Sequence, residues 1–287
     1  MEDALPADIT AFFDPDTATV SYVLADPATK QAAVVDSVLD YEAASGRTGR
    51  HSADRVIAHL REHGLALQWI LETHIHADHV SAAPLLRAEL GGKIGIGSHI
   101  PDVQRFMAPV FGTELPEQQP FDVLFDDEAR FHVGGIEVRV LHTPGHTPAC
   151  CTYVAGDAAF VGDTLFMPDF GTARCDFPGG DAHAMYRSIK RILDLPPETR
   201  ILVGHDYPGD RRAAAWESTV AEQRAQNKHV HDGVDEDTFV QMRTERDKTL
   251  KLPALILPAV QCNIRAGQLP EADAQGRRYL KVPLNAL

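Results

Sequence analysis

Residues 67–79 read Leu67-Gln68-Trp69-Ile70-Leu71-Glu72-Thr73-His74-Ile75-His76-Ala77-Asp78-His79, an apolar run followed by three imidazoles and a carboxylate within six positions. Leu67–Leu71 has the length and character of a buried strand, so the histidines should leave it on an extended turn. A donor at every second residue of such a turn can aim several ligands at one centre, which builds a polydentate metal site from a short segment. A single His-x-His would read as a solvated polar loop. Three further donors, each just past a strand, argue against that here.

His146 lies in Thr143-Pro144-Gly145-His146-Thr147, after a stretch in which Ile136, Val138 and Val140 alternate with Glu137 and Arg139. Asp163 follows Ala159–Val161 in Gly162-Asp163-Thr164, and His205 follows Ile201–Val203 in Gly204-His205-Asp206-Tyr207. A glycine before each donor permits a sharp exit from the strand, and strand ends gather distant residues into one cleft. His74, His76, Asp78, His79, His146, Asp163 and His205 are therefore expected to form one metal centre. His142 and His183 have no such motif around them and read as a strand-end residue and a helix-surface residue.

The remaining sequence frames this centre. Ile9–Phe13, Thr19–Leu24 and Ala32–Val35 read as an opening β-meander between turn signals. Ala53, Val56, Ile57 and Leu60 recur at helical spacing, with Ser52 as the expected N-cap, Asp54 in the first turn and Gly64 as the stop. Ala82–Leu90, Asp181–Leu193 and Arg211–Gln226 are expected helices, and Cys151–Val154 an expected strand. From Lys251 onward, Pro253 and Pro258 suggest an irregular tail. No repeat or linker forces a division, so the expectation is one domain over 1–287, with a core at about 8–210 and a C-terminal helix and tail from about 211.

Composition excludes several functions. With 44% apolar and 24% charged residues among 287, the chain is globular in character and not disordered. A net charge of -14 repels phosphate backbones and anionic lipid, so neither nucleic acid nor a membrane is an expected partner. The start, MEDALPADIT, has neither a basic nor an apolar targeting region, and no apolar run nears the ~20 residues of a membrane helix, which gives a cytoplasmic expectation. Four cysteines, Cys150, Cys151, Cys175 and Cys262, are too few for a disulfide scaffold. Cys150 and Cys151 read as buried structural residues, whereas Cys175 beside Arg174 is a candidate for a lowered thiol pKa and oxidation.

The His-x-His-x-Asp-His signature followed in order by His, Asp and His resembles the metallo-β-lactamase superfamily over about residues 8–210. That resemblance implies an α/β fold, a four-layer αβ/βα sandwich of the metallo-β-lactamase type, with metal at one edge. It leaves two reactions open. In dizinc members such as glyoxalase II all seven donors would ligate two Zn(II), with Asp163 bridging and a metal-bound hydroxide attacking a thioester. In the persulfide dioxygenases related to the ethylmalonic encephalopathy protein, only the equivalents of His74, His146 and Asp163 would hold one Fe(II). That two-His, one-carboxylate face keeps positions open for O2 and substrate. His76, Asp78, His79 and His205 would then orient ligands and water. Counting donors does not decide between them.

The neighbouring residues favour the second. Gly162-Asp163-Thr164-Leu165-Phe166 followed by Arg174-Cys175-Asp176-Phe177 resembles the Arg-x-Asp-Phe segment of the dioxygenases, implying that Arg174 holds a glutathione carboxylate. A guanidinium fork matches a carboxylate, and an acidic protein needs a local cation to hold an anionic thiol peptide. The Met167–Ala173 loop is longer than in mitochondrial-type enzymes and resembles a bacterial branch. Tyr207 matches a glutathione-contacting position in both groups, or simply packs on the cleft wall. Leu250-Lys251-Leu252-Pro253, Leu257-Pro258-Ala259 and Asn263-Ile264-Arg265-Ala266-Gly267 resemble the short dioxygenase tail, with limited room for the helical domain of glyoxalase II. The resemblance thus implies an Fe(II) persulfide dioxygenase turning glutathione persulfide and O2 into sulfite and glutathione, and makes a homodimer reasonable. The alternative is a dizinc thioester hydrolase.

Overall fold

In the strand Thr19–Ala25, Val20, Tyr22 and Leu24 join one apolar cluster while Val23 and Ala25 join another. Gln31–Val35 divides likewise, Ala33 and Val35 from Ala32 and Val34. Strands apolar on both faces must be covered on both, which dictates a layered molecule. The structure, a computed structural model, describes residues 7–286 apart from 113, 115–117 and 211.

The first six-stranded sheet runs Asp8–Asp14, Thr19–Ala25, Gln31–Val35, Ala66–Leu71, Lys93–Gly97, Val123–Phe125. Its first three strands are antiparallel, with Thr10 opposite Val23 and Tyr22 opposite Val35, and the rest join in parallel. The second runs Arg130–Val133, Ile136–His142, Cys151–Ala155, Ala158–Gly162, Arg200–Val203, Glu217–Thr219. Only Ala158–Gly162 and Arg200–Val203 pair in parallel within it.

Between the sheets, Val20, Tyr22, Leu24 and Leu71 meet Val138, Val140, Tyr153, Phe160 and Leu202. Helices His51–Glu62, Ala83–Leu90, Ile100–Val110 and Ile256–Asn263 cover the outer face of the first sheet through Ile57, Leu60, Leu86, Val103 and Val260. Ala182–Leu193, Val220–Gln226 and Glu236–Asp247 cover the second through Met185, Ile189, Val220 and Phe239. This is the four-layer αβ/βα sandwich. Among the described residues no helix is long and apolar enough to cross a membrane.

Three expectations need correction. Ser52 does not cap the first helix, which starts at His51; the carboxylate of Asp40 accepts from the His51 and Ser52 amides instead. The helix expected over Arg211–Gln226 is only Val220–Gln226, because Glu217–Thr219 pairs with the second sheet and Thr219 and Glu222 form a capping box there; 211 lies outside the described residues. The tail is not wholly irregular. Ile256–Asn263 is helical, with Pro258 in its first turn, where a missing N–H breaks no intrahelical bond. Helix Glu236–Asp247 was not anticipated at all.

Candidate metal centre

The seven donors sit just beyond the ends of strands Ala66–Leu71, Ile136–His142, Ala158–Gly162 and Arg200–Val203. The first turn is tied to Asp36, whose carboxylate accepts from the Thr73 amide and the Thr73 hydroxyl, each at 2.8 Å. With its one proton given away, Thr73 Oγ1 accepts from His74 Nδ1 at 3.0 Å, which leaves Nε2 of His74 bare. His146 Nδ1 donates to the Arg174 carbonyl at 2.8 Å and leaves its own Nε2 bare. Both Nε2 atoms face Asp163 Oδ2, at 3.9 Å from His74 and 3.8 Å from His146. These three buried residues form one group, their donor atoms within 4.8 Å of one another. Burial, with the neighbouring His76 and His146, holds His74 well below the usual histidine range, so its imidazole is neutral and available as a ligand.

His76, Asp78, His79 and His205 form a second group within the same distance limit. Asp78 Oδ2 lies 3.3 Å from both His79 Nδ1 and His205 Nε2, and His205 Nε2 lies 3.4 Å from Asp163 Oδ1. Asp163 therefore stands between the groups, one oxygen toward each. Burial opposes the charge on Asp78, but His205 and His79 outweigh it and hold the carboxyl well below its usual range. His76 Nε2 is 3.0 Å from Asp36 and 3.4 Å from Glu72; burial opposes its charge, yet the two carboxylates raise it well above the usual value.

The residues fit a metal. His74 Nε2, His76 Nδ1, His79 Nε2, Asp163 Oδ1 and both ring nitrogens of His205 are buried without a hydrogen-bond partner. Each such atom costs about 1–3 kcal/mol when left alone, and a cluster of imidazole nitrogens and carboxylate oxygens is what a transition metal satisfies. All seven donors expected from the sequence are brought together. His142 and His183 lie apart, the first on the Pro148 carbonyl and the second on Glu236.

A cavity of about 320 Å³ opens over Asp78, His146 and Asp163, walled by Phe166, Phe170, Phe177 and Tyr207. Tyr207 packs on that wall, 5.0 Å from Phe170 and 5.8 Å from His205 between ring centres. Arg174 lines the cavity, but its fork is already filled: Nε and Nη2 donate to Asp176 at 2.5 and 2.7 Å, and Nη1 donates to the Lys251 carbonyl. The guanidinium also lies over Phe177, 4.9 Å from the ring centre. Two cations that the sequence did not flag, Arg246 and Lys251, stand exposed at the mouth in no ion pair with a described residue. They lie on or just past the unanticipated helix. Cys175 also departs from expectation, since burial, then Asp247, raise its thiol and the charge of Arg174 is spent on Asp176.

Residues 14–205 match the family model of the Metallo-beta-lactamase superfamily. The chain is 51% identical to a "Probable metallo-hydrolase" of Burkholderia pseudomallei (strain 1710b), over 97% of this chain and 99% of that protein. It is 48% identical to "Glyoxylase B2" of Dictyostelium discoideum, over 98% of each. To the mitochondrial persulfide dioxygenase ETHE1 of Homo sapiens it is 31% identical, over 93% of this chain and 92% of that one. The crystal structure of ETHE1 from Myxococcus xanthus, 29% identical, matches with a TM-score of 0.74 over 91% of this chain and 100% of that chain. By sequence, by layered architecture and by the donors at its strand ends, the chain belongs to the metallo-beta-lactamase superfamily.

Proposed function

We propose that the protein is a mononuclear Fe(II) persulfide dioxygenase whose substrate is glutathione persulfide. The observation that carries this reading is the His74, His146 and Asp163 face, of which His146 and Asp163 line the cavity, with the far nitrogen of each imidazole hydrogen-bonded and the near one bare. Two histidines and one carboxylate with open positions suit ferrous iron in oxygen chemistry. Bound iron would supply the redox step between O2 and the outer persulfide sulfur; persulfide, O2 and water together balance to thiol, sulfite and two protons. Thr73 and the Arg174 carbonyl keep the ligand protons at Nδ1, and the aromatic wall excludes water. Arg246 and Lys251 at the mouth draw an anionic thiol peptide to an otherwise acidic molecule, with Tyr207 beside it, while Arg174 stays paired with Asp176 in the wall. His76, Asp78, His79 and His205 orient ligands and water below it. The proposal includes a reducing compartment, in keeping with four free buried thiols, and a homodimer.

A dizinc thioester hydrolase is the second reading. It is favoured by the second donor group, by Asp163 standing between the two groups, and by the hydrolase and glyoxylase names of more similar relatives. Metal analysis of anaerobically purified protein tests both, alongside oxygen uptake on glutathione persulfide and hydrolysis of S-lactoylglutathione. About one iron per chain with persulfide-dependent uptake is expected; about two zincs with hydrolysis and no uptake would overturn the dioxygenase.

A further inference from the structure

We infer that Asn263, the last residue of helix Ile256–Asn263, is a positioning residue for the metal centre: it fixes the backbone that carries His76, Asp78 and His79. Residues 76–79 belong to no helix or strand, so their buried carbonyls need partners from elsewhere. Asn263 supplies them. Its Nδ2 donates to the His76 carbonyl at 2.9 Å and to the His79 carbonyl at 2.8 Å, and its Oδ1 accepts from the Ser81 amide at 2.9 Å. A side-chain amide offers two donors and an acceptor in one plane, and here both donors and the acceptor are used by one loop. Asn263 is buried, and the chain just past it packs on the same place: at Gly267, φ +78°, an added Cβ would meet the Ser81 carbonyl at 2.7 Å. Ser81 continues the contact inward, its hydroxyl donating to Glu72, which faces His76. Residues 184 apart in sequence are thus joined at the ligand turn itself.

The inference rests on residues 74–79 holding metal, whichever of the two reactions follows. Its test uses the full-length metal-free protein and Co(II) as the probe, with affinity read by chelator competition and geometry by the visible d–d spectrum. Asn263→Ala and Asn263→Asp both lose the two donors. Gln261→Ala, on the same helix, releases the Leu257 carbonyl and the Lys281 carbonyl and amide, none of them in the ligand turn, and serves as the control. Asn263→Ala and Asn263→Asp are expected to bind Co(II) about 10–100-fold more weakly with an altered spectrum and unchanged far-ultraviolet circular dichroism, while Gln261→Ala binds as wild type. Wild-type affinity and spectrum in Asn263→Ala would overturn the inference, as would an equal loss in Gln261→Ala or unfolding of both Asn263 variants. Failure of the wild type itself to bind Co(II) would instead overturn the metal reading, and the inference with it.

Discussion

Thr73 gives its hydroxyl proton to Asp36 and receives that of His74 Nδ1, so one hydroxyl sets the tautomer of a ligand. Thr73→Val keeps the shape and removes both bonds; metal affinity should fall about 10–100-fold by chelator competition, with Thr73→Ser close to wild type. Asp36 makes the site acid-sensitive. Burial opposes its charge, but His76 and the Thr73 hydrogen bonds hold its pKa below the usual value, so the unfolded chain, with aspartate near ~3.9, binds the proton more readily. Its contribution is present above about pH 4 and is lost as pH falls through the depressed folded value. His76 runs oppositely: its contribution is complete below about pH 6.5 and fades as pH rises through its raised value. Urea unfolding of the metal-free protein between about pH 5 and 3 should show a steeper loss in wild type than in Asp36→Asn. The thiols give another check. Burial pushes Cys150 and Cys151 up to about 12 and Cys262 to about 11, and raises Cys175 as well, so a thiol reagent at neutral pH should label none of them in native protein and all in denaturant. The donors were legible because each sits in a short local pattern. The state of Arg174 was not, although its partner Asp176 stands two residues on, because nothing local says which way a fork turns.

Helix Glu236–Asp247 acts as a strut. Arg243 pairs with Asp247 and donates to the Thr172 carbonyl at 3.1 Å, while Asp247 accepts from the Cys175 amide at 2.8 Å. The segment held between them carries the Arg174 carbonyl that orients His146. Asp247→Ala strands a buried guanidinium and should cost about 3–5 kcal/mol in urea unfolding. The helix escaped sequence reading because Phe239 is its one buried apolar residue; an ion pair, not an apolar stripe, fastens it. The cap on helix His51–Glu62 was hidden for a related reason, being supplied by Asp40 across the chain. Asp40→Ala should cost about 0.5–2 kcal/mol by the same measurement. By contrast, the meander at Thr19–Leu24 and the Val56, Ile57, Leu60 face were readable, since period-two and period-3.6 patterns are local properties.

Across the molecule, the unpartnered donors gather where the ends of both sheets meet, so a bound metal ties the two halves together. Saturating Co(II) should raise the melting temperature over chelated protein, with a gain of about 4 kcal/mol at a thousandfold excess over Kd, and calorimetry should show no such gain in His74→Ala. The layer order was legible only through the family that the ordered donor motifs resemble; that Thr19–Ala25 and Gln31–Val35 are apolar on both faces, and so demand cover on both, emerged from the packing. What the pattern omitted was the C-terminal segment, whose contacts reach back over most of the sequence. That reach has a consequence in time. Ribosomes add about 5–20 residues per second, so His74 emerges roughly 10–40 s before Asn263, and the growing chain spends that interval with its first histidines exposed and no clamp to close over them. A chain stalled or truncated before Asn263 should therefore carry the donors of the site without the clamp on their backbone, and hold metal at least about 10–100-fold more weakly than the finished chain.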